Sequence, residues 1–365
     1  NNQGAFSGNE SRLRSFRDRD YLKTREGFIF AVIGNVHPPD RVLAYLKYVP
    51  DQHGKWGRGR LRYRRALPHY NVPSLMDSMR FLREHAPHYV FDSSVHGIAL
   101  PAVPTERITE HLRPEERLLQ LRNDMGGDDL ETKALMLAEL ISNNVSVPLE
   151  SLGVTGSILA GIHDPTFSDI DLVVYGFESA LRVKSLLSQS LLSAVRRLAG
   201  TTREKWIDER VRSTPLTRHE AAQLLDRKWN IGLFEGLEFS IHAVHTEDEI
   251  GGGYGEEKYV PLGIVDSMGI VTDSKESLFM PAVYKVESVT LRGTSPVPMV
   301  DEIVSFEGLY ADIAKQDEPV LCKGKLERVE SSSKTRFRIV VGSPEAGGTD
   351  FILPSSGPRQ DERIA

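Results

Sequence analysis

The chain has 365 residues, 40% of them hydrophobic and 26% charged, which is room for two or three domains of ordinary globular composition. Its single cysteine, Cys322, excludes an internal disulfide framework and fits a reducing cytosol, so a cytoplasmic location is expected. A net charge of −6 argues against a protein that coats nucleic acid by bulk charge, and no apolar run approaches the roughly 20 residues that span a membrane.

The first residues, Asn1 to Ser11, are polar and lack the apolar core of a signal peptide; they read as a flexible tail. A first unit, residues 1–123, follows as an α+β module. Residues 27–34 and 42–49 are β-rich runs joined by a turn containing Pro38, Pro39 and Asp40, with His37 a turn residue rather than a ligand. Between Lys55 and Arg65 stand Lys55, Arg58, Arg60, Arg62, Arg64 and Arg65 with no acid, and Trp56 and Tyr63 are interleaved. Read as one strand, the run aligns Arg58, Arg60, Arg62 and Arg64 on a single face suited to phosphates, with aromatics able to stack on bases. Ser74 suits the N-cap of a helix carrying Leu75, Met79 and Leu82. A helix is expected after Thr105, and Pro114 opens another that runs to about Arg122.

The Asp124–Asp129 segment reads as a linker into a second unit, 124–256. Leu130, Ala134, Leu137 and Ile141 share one helical face. Gly153-Val154-Thr155-Gly156-Ser157 then runs from an apolar segment into a turn, and an apolar strand carries Asp169 and Asp171. Alternation puts both carboxylates on one side of that strand, where they raise each other's pKa unless a cation intervenes. Mg²⁺ is the natural hard cation for oxygen ligands shared with phosphate, and the Gly-Ser turn offers amides and a hydroxyl to hold that phosphate. Thr155 and Ser168 flank this pair, and His163 lies on the loop between the two motifs. Helix is expected over residues 178–198 and again over 202–228. Residues 236–244 alternate as a strand, with Glu238, Ser240 and His242 on one face and Leu237, Phe239, Ile241 and Ala243 toward the core. Gly251–Gly255 is a connector, since nothing after it resembles a phosphate loop.

A third unit, 257–353, holds short strand-like runs near 286–291, 320–329 and 336–342, which suit a small barrel or sandwich. The tail, 354–365, is expected to be disordered.

Gly156-Ser157, a spacer and Asp169-x-Asp171 in a hydrophobic strand resemble the nucleotidyltransferase superfamily that includes DNA polymerase beta and the poly(A) and CCA-adding enzymes. Over most of its length the chain resembles uncharacterised archaeal proteins with a nucleotidyltransferase domain. The resemblance implies a central mixed sheet with helices, Gly156 and Ser157 gripping an NTP triphosphate, and Asp169 and Asp171 binding two Mg²⁺ ions, with Mn²⁺ as an alternative. A third carboxylate on a later strand completes such a site. Glu238 is the candidate, although Asp is commoner there, and Glu235 is a weaker one. Arg227 and Lys228, just before that strand, are candidate triphosphate contacts. The whole reads as an α+β chain with a central nucleotidyltransferase-like domain between an α+β module and a barrel-like module. The expected activity is transfer of a nucleoside monophosphate from an NTP to an acceptor hydroxyl on RNA or DNA. The rivals are an inactive module binding nucleic acid or a protein partner, and transfer to a small molecule or protein.

Overall fold

Apolar alternation in the first third of the chain builds a sheet of eight strands. The computed structural model describes residues 14–67, 72–124, 127–293 and 298–355, so the expected tails at Asn1–Ser11 and beyond Ser355 lie outside the described residues. The strands are β1 (Tyr21–Thr24), β2 (Ile29–Val32), β3 (Arg41–Pro50), β4 (Trp56–Arg58), β5 (Leu61–Arg65), β6 (Val90–Ser93), β7 (Ile98–Pro104) and β8 (Ile108–Leu112), with α1 (Val72–His85) before β6. They are ordered β4-β5-β3-β2-β1-β8, with β7 on β3 and β6 on β7. Phe30, Leu46, Leu82 and Tyr89 fill its core between the sheet and α1. Ser74 falls inside the first turn of α1, not before it.

Two expectations for this unit fail. Thr105–Arg107 forms a single 3-10 turn and the chain goes on as β8, because Ile108–Leu112 finds an open edge at β1 to pair with. The arginine run is a hairpin and not one strand. Gly57 and Gly59 both take positive φ (92° and 59°), which bends the chain back at Gly59-Arg60 and pairs Trp56 with Tyr63.

The middle unit opens with α2 (Pro114–Asn123) and α3 (Asp129–Val145). Asp128 caps α3, and Glu131 reaches back to the Asp128 amide, closing a capping box at the end of the expected linker. Then come β9 (Leu152–Val154), the short α4 (Gly156–Leu159), β10 (Ile170–Tyr175), α5 (Phe177–Ser188), β11 (Val195–Arg196), α6 (Gly200–Ser213), α7 (Arg218–Arg227), β12 (Ile231–Phe234) and β13 (Leu237–Val244). The sheet runs β11-β12-β13-β10-β9, with β10 and β13 parallel. Leu130, Ala134, Leu137 and Ile141 do share the buried face of α3, packed with Leu118 and Leu121 of α2 against Leu172 and Val174 of β10.

The last unit has β14 (Glu257–Asp273), β15 (Ala282–Arg292), β16 (Glu302–Ser305), β17 (Pro319–Ser331), β18 (Thr335–Val341) and β19 (Phe351–Pro354). Pairing runs β14-β15-β16-β18-β17, and β14 also pairs with β17, so five strands close a ring and β19 adds to β17. The expected barrel-like module is therefore present. Helices α6 and α7 and the link between them contribute Ile207, Leu216, Leu224 and Leu225 to the barrel core instead of the middle one.

All three units touch. The Tyr259 amide donates to Val95 O (2.9 Å), Asn35 Nδ2 donates to His245 O (2.9 Å), and Trp229 Nε1 donates to Asp312 (2.6 Å). No helix among the described residues is long and apolar enough to cross a membrane.

Candidate active site

The Gly-Ser turn and the Asp-x-Asp strand meet as the spacing predicts. β9 pairs antiparallel with β10, and the Thr155 amide donates to Asp171 O at 2.8 Å, so the chain turns into α4 directly beside the second aspartate. Gly156 sits at φ +68°, and a Cβ there would lie 2.2 Å from Asp171 Oδ2. Only glycine lets the backbone come this close in this conformation. Ser157 is buried, and its carbonyl accepts from the Ile162 amide (3.1 Å), which folds 156–162 into one tight turn.

Asp169 opens to solvent at the head of β10, and Asp171 is half-buried one step in. The Asp171 charge lifts the Asp169 carboxyl above the usual carboxylate range, while Arg65 and Lys47 pull it the other way. Mutual repulsion that strong marks a place where a divalent cation fits the donors present.

Across the parallel register Asp171 faces Ser240 and Val173 faces His242. The Ser240 hydroxyl donates to Asp171 Oδ1 (2.5 Å) and lies 2.9 Å from His242 Nε2. With its one proton spent on Asp171, Ser240 accepts from His242, which therefore carries its proton on Nε2. Burial, followed by the charges of Arg19, Lys47 and Lys228, holds His242 well below the usual imidazole range, so the ring is neutral. The paired register ends at Ile170–Phe239, one residue short of Asp169 and Glu238, and among the described residues Asp169, Asp171 and Glu238 do not gather as one ligand group, so the expected third carboxylate is not brought onto the pair. The predicted alternation holds: residues 238, 240 and 242 are half-buried while 239, 241 and 243 are buried. The Glu238 carboxylate, 44% exposed, faces Lys205 Nζ at 3.8 Å. Glu235 lies exposed in the β12–β13 turn.

The cations around the pair come from the first unit; Arg65 belongs to the basic run, whereas Arg19 and Lys47 were not marked by any motif. Arg19 lies against Asp18 (3.4 Å), and its carbonyl accepts from Thr155 Oγ1 (3.0 Å). Burial opposes its charge, but Asp18, Tyr45 and Asp171 outweigh that and hold the guanidinium above its ordinary range. Lys47 is nearly buried in β3 between Tyr21 and Tyr48. A lysine inside the apolar run Leu46-Lys47-Tyr48 was the one sequence signal available; Arg19 gave none. Behind His242 a small cleft opens where the three units meet, lined in part by Asp18, Arg19, Asn230 and Asp312.

Arg227 and Lys228 are committed elsewhere. Arg227 reaches Glu318 (2.7 Å) and Ile313 O, while Lys228 donates to the carbonyls of Gly308 (2.9 Å) and Ala311 (2.7 Å). Both clamp the middle unit to the barrel, and burial presses Lys228 down to about 7. The basic run splits between two faces. Arg65 lies over Trp56 at 4.7 Å on the carboxylate side, Arg62 folds back onto Gly54 O (2.7 Å), and Arg64 approaches Asp51 (3.5 Å); Lys55 and Arg60 are exposed, and Arg58 pairs with Leu61 in backbone register.

His163 joins the α3 cap instead of the turn it flanks. Its Nε2 lies 2.8 Å from Asp128, and Arg117 pairs with Glu131. Among the described residues, Asp128, Glu131 and His163 form the group whose ligand atoms gather within 4.8 Å. Their oxygens already serve the capping box and Arg117, which gives the cluster a structural purpose without a metal.

Fold and site thus define a mixed α+β protein of three sheets with a carboxylate pair at the junction of its first two units. No family model matches the chain, and no solved structure matches it significantly. Over 343 residues it is 30% identical to the uncharacterized protein MJ1086 of Methanocaldococcus jannaschii, covering 92% of this chain and 98% of that one. The chain belongs to the family of that archaeal protein.

Proposed function

We propose that the protein is a cytoplasmic, Mg²⁺-dependent nucleotidyltransferase acting on an NTP and an acceptor hydroxyl of RNA or DNA. The carrying observation is the contact of Gly156 with Asp171 beside an Asp169 whose carboxyl is raised above the usual carboxylate range. A fold gains nothing in stability from two repelling carboxylates under a backbone pressed against one of them, so the arrangement suits a ligand. Asp169 and Asp171 would hold Mg²⁺ or Mn²⁺, and Glu238 would have to leave Lys205 to join them. Such an ion would neutralise phosphate charge and acidify the attacking hydroxyl. The amides of the α4 turn would hold the triphosphate, and Ser240, fixed by neutral His242, would orient Asp171. In the reaction the acceptor oxygen bonds to the α-phosphorus, the bond to the β-phosphate oxygen breaks, and pyrophosphate leaves. The acceptor proton passes to a carboxylate or to water.

The Glu238–Lys205 contact favours a second reading, in which the site is inactive and the protein only binds a nucleic acid or a protein partner. Transfer to a small molecule or a protein is the third. Incubation with each labelled NTP, Mg²⁺ or Mn²⁺, and total RNA, DNA, protein and metabolite fractions separates them. Label in RNA or DNA supports the proposal; label in no fraction supports the second reading, and label in protein or metabolites the third.

A further inference from the structure

We propose that the β4–β5 hairpin and Phe167 form the docking ledge for the acceptor, the end of a single-stranded nucleic acid, on the Asp169 side of the pair. This rests on the transferase reading and supplies the half of the site its motifs leave open. The two carboxylates have different neighbours. Asp171 is half-buried, with Gly156 against one oxygen and Ser240 bonded to the other, whereas Asp169 opens to solvent and feels Arg65 and Lys47. Two residues before Asp169, Phe167 is 49% exposed and meets Trp56 edge-to-face at 5.7 Å. Arg65 covers the Trp56 ring at 4.7 Å. Stacking surface and phosphate-binding charge therefore adjoin the carboxylate that remains accessible.

The ledge is anchored. The Gly57 amide donates to Ile162 O at 2.7 Å, and Tyr48, Tyr63, Leu159 and Ile162 share one apolar cluster beneath it. Charge decides what it suits. Arg19, Lys47 and Arg65 lie around the pair, and a divalent ion bound there would add positive charge that suits phosphates. In the same hairpin Lys55 and Arg60 are exposed and add cationic surface on a chain of net charge −6, while Arg64 turns to Asp51. A single nucleotide would occupy only the carboxylate side; a strand uses the hairpin as well.

The test is fluorescence anisotropy of a labelled single-stranded oligonucleotide on the full chain at two salt concentrations. Trp56→Leu and Arg65→Met each weaken binding by about tenfold, and Arg65→Met lowers the salt slope by about one. Trp56→Phe recovers most of the loss, which separates stacking from misfolding, and the remote Arg218→Met changes nothing. Asp169→Ala binds at least as well as the wild type. Equal binding by wild type, Trp56→Leu and Arg65→Met overturns the proposal, as does a nucleoside monophosphate that competes as well as the oligonucleotide. Ledge-dependent binding without any label transfer sinks the transferase reading alone; transfer to RNA or DNA that ignores both variants sinks the ledge alone.

Discussion

Gly156→Ala tests how the turn shapes the site. The new Cβ would stand 2.2 Å from Asp171 Oδ2 and 3.1 Å from Asp171 Cβ, in a residue at φ +68°. An L-residue in that conformation costs about 1–2 kcal/mol. Swinging the carboxylate aside also breaks the 2.5 Å bond from Ser240, worth about 1.5–3 kcal/mol for a charged acceptor. Together these predict a loss of about 3–5 kcal/mol, or roughly 10 °C in Tm for a unit of this size. In an Asp171→Ala background the clashing oxygen is gone, and the same change should cost the backbone strain and the milder 3.1 Å contact with the remaining Cβ. Calorimetric melting of the four members of the cycle measures the difference, expected as a coupling of about 1.5–3 kcal/mol. Calorimetric Mn²⁺ titration of Gly156→Ala should show weakened binding. Additive costs with unchanged Mn²⁺ affinity would refute the view that this glycine sets the carboxylate.

Two more predictions concern the joints between units and the barrel. His245 bonds Glu276 (2.9 Å) and Glu249 (3.1 Å); burial opposes its charge, but these partners win and its pKa is raised. Its contribution is therefore complete below the unfolded value near 6.5 and fades as pH rises through the folded value, so urea melts of His245→Gln should approach the wild type at alkaline pH. A gap that widens with pH would contradict the sign. In the barrel, Glu327 is buried between Lys325 (2.8 Å) and Arg338 (2.9 Å), and Glu327→Leu strands Arg338 and leaves Lys325 with Glu345 alone (3.2 Å), at a cost of about 3–5 kcal/mol. A loss below about 1 kcal/mol in chemical denaturation would show the network to be dispensable.

Short-range order was legible in the sequence; long-range charge placement was not. Strand alternation in β13 and the face shared by Leu130, Ala134, Leu137 and Ile141 depend on local period, and both appear as read. Thr105–Leu112 has the composition for either helix or strand, and the free edge of β1 decided it. The arginine run misled because alternation assumes one strand, while Gly57 and Gly59 fold it in two. Gly156, Asp169 and Asp171 lie within one short strand-turn-strand unit, so spacing alone brings them together. Arg19 and Lys47 reach the same place only because the first sheet packs on Leu159, Ala160 and Ile162. Arg227 and Lys228 precede the Glu238 strand in sequence, yet the barrel carbonyls and Glu318 claim them.

The central claim is that Asp169 and Asp171 form the ion-binding heart of a nucleotidyl-transfer site. With the labelled NTP and acceptor fraction that the wild type uses, Asp169→Ala should lose transfer by at least about 100-fold while melting at or above the wild-type temperature, since removing one of two repelling carboxylates relieves strain. Undiminished transfer by that folded variant would contradict the account.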